Sequence, residues 1–168
     1  MKIPTAIRPI VGGGVLPALL LFGALSWAML GDAYRHFERH GGKDWNCIFG
    51  QAQAELVAVR EHGEFPLWNP WRGGGQPSLA QPAGMLLSPV TPLVLAFGVV
   101  AGFKLSLIPI YVIGCLGMWV LAGSLGLRGP PRYAPALVFF GSSIFPLYTS
   151  GGLPNWLVAM APLPWLFW

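Results

Sequence analysis

The sequence predicts an all-α polytopic membrane protein, and three observations lead to this prediction. Hydrophobic residues make up 54% of the 168 residues and charged residues only 10%, whereas soluble domains have about 25% charged residues. Long apolar segments recur along the chain. All six acidic residues and all three histidines lie between positions 32 and 64. A charge-poor chain with one polar segment is typical of a protein embedded in lipid.

The first predicted element is a membrane-spanning helix over residues 10–30. This segment has no charged residue, and about 20 apolar residues cross a bilayer core. Lys2 and Arg8 precede it, which predicts a cytoplasmic N-terminus. We therefore assign 1–31 to a cytoplasmic N-terminus and first transmembrane helix. The alternative is a signal peptide, whose apolar region would be shorter.

Residues 32–82 are predicted to form a large extracytoplasmic loop that contains an amphipathic helix over 48–62. Apolar residues recur there at helical spacing, and Gly63 is a natural helix stop. These apolar positions are Ile48, Ala52, Leu56 and Val59. Such a helix lies in the membrane interface or belongs to a small soluble cap, and the sequence leaves both possibilities open. The acidic residues expected on a solvated face are Glu38, Glu55, Glu61 and Glu64.

The second half of the chain is predicted to return to the membrane. Pro89 and Pro92 interrupt 83–103, so this stretch is expected to be re-entrant or interfacial. Residues 104–168 are expected to be transmembrane helices, with spans at 105–125 and 133–150 and another beginning at 155. If 83–103 does not cross, the turn with Arg128 and Arg132 lies inside, as the positive-inside rule prefers. Because the chain stops within an apolar run, we expect it to be the N-terminal part of a longer protein.

The most distinctive segment is 63–82, GEFPLWNPWRGGGQPSLAQP. Its prolines hold the preceding residues extended and its three glycines permit close backbone approach. Trp68 and Trp71 have flat apolar faces, and Asn69 and Gln76 have amide hydrogen-bonding groups. This mixture suits a sugar ligand. The alternative is a rigid loop whose tryptophans anchor at the membrane interface.

The segment 63–82 contains the LWNP motif at 67–70, and we call it the LWNP segment. The order of Asp44, a helix, the LWNP segment and a proline-broken apolar stretch resembles the YfhO-like bacterial membrane proteins. Their pattern is an aspartate, a helix, G-E-L-P-L-W-N-P-Y, a glycine-rich step and P-L-L-A-N-P-Q. This chain has Phe65 for the leucine, Trp71 for the tyrosine, and Gln81 followed by Pro82 where Asn-Pro is usual. The similarity covers most of the chain from about 44 onward, including Gly117-Met118, Leu125-Gly126-Leu127 and Asn155.

The resemblance implies a GT-C-like fold and a glycosyltransferase that uses polyprenyl-phosphate-linked sugars. It implies an extracytoplasmic site in a multi-pass protein of the bacterial cytoplasmic membrane, in contact with membrane lipids. It implies that Asp44 acts as catalytic base or helps hold a divalent metal, and it leaves the metal requirement open. Asp32 is the second catalytic candidate, and its alternative role is a polar stop at a helix end. The predicted substrate-binding residues are Trp68, Asn69, Trp71, Arg72, Gln76 and Asn155.

Two series of residues spaced four positions apart, which we call ladders, precede the loop helix. His36, His40 and Asp44 have the i, i+4, i+8 spacing of a metal-binding face, but Gly41 and Gly42 interrupt that helix, so no metal site is predicted. The basic ladder consists of Arg35, Arg39 and Lys43, and with Arg72 it could bind a phosphate or anionic lipid headgroups.

Two further features bear on the function class. The basic residues form no patch with interleaved aromatics, so nucleic acid is not an expected partner. Cys47 and Cys115 are expected to be unpaired. The alternative function is a non-catalytic polytopic protein that binds or transports glycan or lipid.

Overall fold

The computed structural model describes residues 14–37, 39, 44–79, 81 and 84–168, and these residues are mostly helical, which confirms the helical part of the predicted fold class. The α-helices are α1 (Val15–Arg35), α2 (Trp45–His62), α3 (Thr91–Phe97), α4 (Val99–Ser124), α5 (Ala134–Phe140), α6 (Ile144–Gly151), α7 (Pro154–Met160) and α8 (Leu163–Leu166). A 3-10 turn covers Pro130–Arg132, and β1 (Trp68–Asn69) pairs antiparallel with β2 (Gln76–Pro77). The N-terminal segment with Lys2 and Arg8 lies outside the described residues.

Two of these helices, α1 and α4, are long and apolar enough to cross a membrane. They have 21 and 26 residues, with mean hydropathies of 1.6 and 2.1. At about 1.5 Å per residue, each reaches the thickness of a bilayer core. Helix α4 is the centre of the fold, because α1, α3, α5 and α8 all pack against it. The first predicted span and the span predicted over 105–125 correspond to these two helices.

The C-terminal end of α1 is bound to α4 by a buried lysine. Lys104 is only 6% exposed, and its ammonium group donates to the backbone oxygens of His36 at 2.6 Å, of Phe37 at 2.8 Å, and of Arg39. The last carbonyls of a helix have no intrahelical donor and form its negative end. One side chain of α4 therefore supplies the hydrogen-bond donors for the backbone carbonyls that follow α1.

Tyr34 makes a second connection between α1 and α4, beside a proline. Pro109 lies inside α4, where a proline ring disturbs the hydrogen-bond ladder. The Tyr34 hydroxyl accepts from the Ile108 backbone N–H at 3.3 Å and donates to the Lys104 carbonyl. A side-chain hydroxyl is thus inserted into one i→i−4 step of α4, immediately before the proline.

The stretch 83–103 contains the start of α4. Turns lead to Thr91, and α3 begins there with Pro92 in its first turn, where proline is tolerated. Gly98 separates α3 from α4 with a φ of 84°, a conformation that favours glycine. Gly102 permits α4 to pack tightly on α3, since a Cβ there would lie 2.5 Å from the Val94 backbone.

The segment 133–150, expected as one span, forms the two short helices α5 and α6. Residues 141–143 separate them, and their sequence is Gly-Ser-Ser. Serine side chains compete with helical backbone bonds, and Pro146 cannot donate a backbone hydrogen bond to Ser142. The chain after Leu153 likewise forms the short helices α7 and α8.

The end of α6 packs directly on the start of α2. The Asp44 backbone N–H donates to the Gly151 carbonyl at 3.3 Å. Gly152 has a φ of 93°, and a Cβ there would lie 2.2 Å from the Trp45 nitrogen. Glycine at 152 is therefore required both by its backbone conformation and by the close approach of α2.

We expect Gly152→Ala to destabilise the protein by about 2 kcal/mol or more, because the new methyl group meets backbone atoms and the left-handed conformation is strained. The melting temperature should fall by several degrees. Gly151→Ala is the matched control, since a Cβ at Gly151 meets nothing within 4 Å. Equal melting temperatures for the two variants would contradict this packing.

Candidate functional site

A cleft of about 360 Å³ opens where α1 ends, between α1, α2, α4 and α6, and we call it the α1 cleft. Its polar lining comes from the α1 end and from α4 and α6. These polar residues are Asp32, His36, Arg39, Lys104, Thr149 and Ser150. Its apolar wall includes Trp45 and Phe49, which form one face of the first turns of α2. The cleft thus combines a carboxylate, two cations and two hydroxyl groups.

Asp32 is the predicted second catalytic residue, and it lines this cleft. Its side chain is 84% exposed, and His36 Nε2 lies 3.9 Å from its Oδ1. An ion pair this exposed and this long contributes little stability. The Asp32 carboxylate is therefore accessible to a ligand in the cleft.

Asp44 lies at the N-terminus of α2, directly before the cleft-lining Trp45. It is exposed. An N-terminal aspartate usually accepts a hydrogen bond from the helix backbone, but the Asp44 side chain makes no such bond. Its backbone carbonyl accepts instead, from the amides of Cys47 and Ile48. The carboxylate of the first predicted catalytic residue is thus not used to cap the helix.

Thr149 contributes a buried hydroxyl to the wall of the α1 cleft. The residue is 6% exposed, and its Oγ1 has no hydrogen-bond partner in the described part of the chain. Most buried polar groups in proteins have a partner. This hydroxyl therefore has unused hydrogen-bonding capacity at the cleft wall.

A second cleft of about 310 Å³ lies on another face of α2, against the LWNP segment, and we call it the loop cleft. It is lined by Asn46, Cys47, Gly50, Gln51, Asn69, Trp71 and Arg72. Trp71 is 62% exposed, and Arg72 is also exposed. Three of the predicted substrate-binding residues are therefore brought together here, and the first turns of α2 separate them from the α1 cleft.

A chain of buried hydrogen bonds fixes the LWNP segment to α2. Asn69 is 3% exposed, and its Nδ2 donates to Gln51 Oε1 at 3.0 Å. Gln51 Nε2 in turn donates to Glu55 Oε1 at 3.0 Å. Asn69 Oδ1 accepts from the Trp71 backbone N–H at 3.0 Å. Asn69 therefore holds the loop in place, and its contact with substrate stays a prediction.

The expectation that Glu55 lies on a solvated face is wrong, because Glu55 is 7% exposed. Helix α2 buries Gln51 and Glu55 together with the apolar residues Ile48, Ala52 and Leu56. Burial raises the pKa of the Glu55 carboxyl, and the hydrogen bond from Gln51 opposes part of that rise. The helix predicted over 48–62 begins three residues earlier, at Trp45.

The other predicted ligand-binding residues are more dispersed. The Trp68 ring is 55% exposed and covers Gly75, where a Cβ would lie 2.6 Å from it. Gln76 Oε1 accepts from Gln81 Nε2 at 2.6 Å. Asn155 lies in the first turn of α7. Gln76 Nε2 and Asn155 Oδ1 are buried without a partner among the described residues, so both have unused hydrogen-bonding capacity.

The two ladders before α2 are only partly described. His40 and Lys43 lie outside the described residues, as does Glu38. Within the described part of the chain, no three histidine, cysteine or acidic side chains converge on a possible metal position. Cys47 and Cys115 are both free thiols. Arg39 is the member of the basic ladder that lines the α1 cleft.

A comparison of the chain with protein families, curated proteins and solved structures found no match in any of them. The similarity to the YfhO-like proteins therefore stays a prediction based on sequence motifs from Asp44 onward.

Sequence reasoning missed Lys104, Gln51 and Thr149. Lys104 had a usable signal, because it is the only charged residue between Arg72 and Arg128, and an isolated ionisable residue in an apolar segment is often functional or paired. Gln51 had the weaker signal of lying one helical turn before Glu55. Nothing in the local sequence distinguishes Thr149 from other hydroxyl residues.

The buried Glu55 predicts a specific pH dependence. Because its folded pKa is raised, its contribution to stability is fully present below the ordinary glutamate pKa and is lost as pH rises through the folded value. Glu55→Gln removes this loss and keeps an oxygen that can accept from Gln51. The melting temperature of the variant relative to wild type should therefore increase as pH is raised from 4 to 8.

Glu61→Gln is the matched control, because Glu61 lies on the exposed face of the same helix. Its melting temperature relative to wild type should change little with pH. A difference between Glu55→Gln and wild type that is constant across this range would show that the buried carboxyl does not titrate as described.

Proposed function

We propose that this chain belongs to a membrane glycosyltransferase of the GT-C type, which moves a sugar from a polyprenyl-phosphate carrier to an extracytoplasmic acceptor. The observation on which the proposal rests is the α1 cleft. It lies at one end of an apolar helix long enough to cross a membrane, and its wall includes an exposed carboxylate, cations and hydroxyl groups. A lipid-linked sugar phosphate needs polar groups of this kind at a membrane surface.

The proposed location is the bacterial cytoplasmic membrane, with residues 32–82 on the extracytoplasmic side. Two features support it. The exposed face of α1 is made of large apolar side chains, including Leu16, Leu20 and Trp27, which suits contact with lipid. The acidic residues begin in the last turn of α1, at Asp32, and the others follow that helix, so both proposed catalytic carboxylates lie towards its C-terminal end.

The proposed reaction is a displacement at the anomeric carbon of the sugar. The acceptor hydroxyl loses its proton to a carboxylate while its oxygen forms the new glycosidic bond. The bond between the anomeric carbon and the phosphate oxygen breaks, and the polyprenyl phosphate leaves with the electron pair. Asp44 is the proposed base and Asp32 the second candidate. Arg39, in the α1 cleft, is the proposed partner of the phosphate, and Arg72, in the loop cleft, is the alternative, because guanidinium groups match phosphate oxygens.

The sugar is proposed to stack on the loop tryptophans. Trp71 is exposed beside Arg72 in the loop cleft, and the Asn69–Gln51–Glu55 chain keeps the segment ordered before a ligand arrives. A preformed loop reduces the entropy lost on binding. The loop cleft and the α1 cleft flank the same helix N-terminus, at which Asp44 lies.

We expect Asp44→Asn to reduce sugar transfer by about 100-fold or more, since general-base groups contribute on the order of 10²–10⁴ to rate. The assay uses the full-length protein in right-side-out vesicles, with a polyprenyl-phosphate-linked sugar donor and an impermeant acceptor. Melting temperature should be unchanged, because the Asp44 side chain makes no capping bond. Glu64→Gln is the control, since Glu64 is exposed.

Loss of sugar transfer in Asp32→Asn with normal sugar transfer in Asp44→Asn would identify Asp32 as the catalytic base. Normal transfer in both variants would contradict the proposed chemistry. If wild type binds the donor without transferring its sugar, the non-catalytic binding function becomes the correct one.

A further inference from the structure

A partly open apolar cavity of about 250 Å³ lies apart from both clefts, and we call it the Glu55 cavity. It is bounded by α2, α3, the start of α4 and the residues that precede the LWNP motif. Its walls include Leu56 and Val59 from α2, Phe65 and Pro66 from the loop, Val94 from α3 and Phe103 from α4. A cavity of about 150 Å³ with similar walls holds a benzene molecule, so this one is large enough for a small organic ligand.

One acidic side chain interrupts the apolar wall. Glu55 lines the cavity and is 7% exposed. Its Oε1 accepts from Gln51 Nε2 at 3.0 Å, and this is the hydrogen bond that the described residues give the carboxyl group. The described residues that line the cavity include no lysine, arginine or histidine. Arg60, one turn further along α2, donates to the Leu95 and Ala96 carbonyls instead.

A carboxylate in these surroundings has one hydrogen bond from Gln51 and no cation among the described residues that line the cavity. Burial of a charge is costly unless the charge is paired and hydrogen-bonded, and removal of its partner leaves that cost in full. Burial accordingly raises the pKa of Glu55. A cation that enters the cavity would supply both a further donor and a positive charge, while an anion would be repelled.

We propose that the Glu55 cavity is a binding site for a small primary amine with an aliphatic or aromatic body. The ammonium group donates to the Glu55 carboxylate, and the body packs against Leu56, Val94 and Phe103. The proposal requires no sugar transfer and is independent of the proposed function. A phosphate-bearing carrier lipid is excluded from this cavity by the same carboxylate.

The test is a comparison of benzylamine with benzyl alcohol, which has the same ring and no charge. Binding is measured by isothermal titration calorimetry on the full-length purified protein in one detergent at pH 7.5. We expect wild type to bind benzylamine at least ten times more tightly than benzyl alcohol. In Glu55→Gln the two affinities should become equal. Glu61→Gln should keep the wild-type preference, since it removes an exposed carboxyl from the same helix.

A second variant tests the cavity without removal of the acid. Val59→Phe places a larger side chain at the cavity wall and should weaken the binding of both ligands by at least tenfold. This result is informative even if Glu55→Gln fails to fold. Equal affinities in wild type, a preference for benzylamine that survives in Glu55→Gln, or wild-type affinities in Val59→Phe would each overturn the proposal.

Discussion

The ammonium group of Lys104 is the constraint on which the α1 cleft depends. It is buried within a long apolar helix, where an unpaired cation would be unfavourable by several kcal/mol. Its three N–H bonds point at the backbone oxygens that follow α1. The positive charge also lies at the negative end of the α1 dipole. The cation and the helix end therefore stabilise each other, and the position of Asp32 and His36 follows from that contact.

The same contact lies between an apolar part of the molecule and a polar part. On the side of this contact towards the start of α1, α1 and α4 contribute apolar side chains such as Phe22 and Leu107 to the core. On the other side of this contact lies α2, whose first turns separate the two clefts. Gly152 permits α6 to approach the start of α2. The position of Asp44 is thus set by backbone packing, and its side chain makes no capping hydrogen bond to α2.

Helix α2 connects the polar regions through its buried polar residues. Gln51 donates to Glu55 and accepts from Asn69, so one side chain links the Glu55 cavity to the loop cleft. A buried chain of hydrogen bonds favours one arrangement, because the loss of any member leaves its neighbours unsatisfied. The LWNP loop is therefore held by side-chain hydrogen bonds as well as by its short hairpin.

Local sequence patterns predicted the helical class, the two long apolar helices and the helix that follows Asp44, since these depend on composition and periodicity. The division of 133–150 into α5 and α6 was not predicted, although Gly141 and Pro146 were visible, because prolines and glycines are tolerated inside membrane helices. The burial of Glu55 was not predictable from its own helix. It depends on the packing of α2 against α3 and α4, which lie far away in sequence, and periodicity alone does not show contacts of that kind.

The candidate functional site also depends on contacts between residues that are distant in sequence. The LWNP motif and Asp44 could be found as sequence features, whereas the α1 cleft is assembled from α1, α2, α4 and α6. Thr149 and Lys104 are brought to Asp32 by long-range packing. No spacing rule relates residues that are more than 70 positions apart along the chain, so their proximity emerges only from the fold.

The most direct test of this account is amide hydrogen exchange of residues 33–37 in Lys104→Met, measured by mass spectrometry on the full-length protein. The account predicts that exchange becomes at least about tenfold faster, because the carbonyls after α1 lose a charged hydrogen-bond donor whose net contribution is about 1.5–3 kcal/mol. Leu105→Ala, a change at the neighbouring exposed position, should leave exchange unchanged. Wild-type exchange in a folded Lys104→Met protein would contradict the claim that this ammonium group fixes the end of α1.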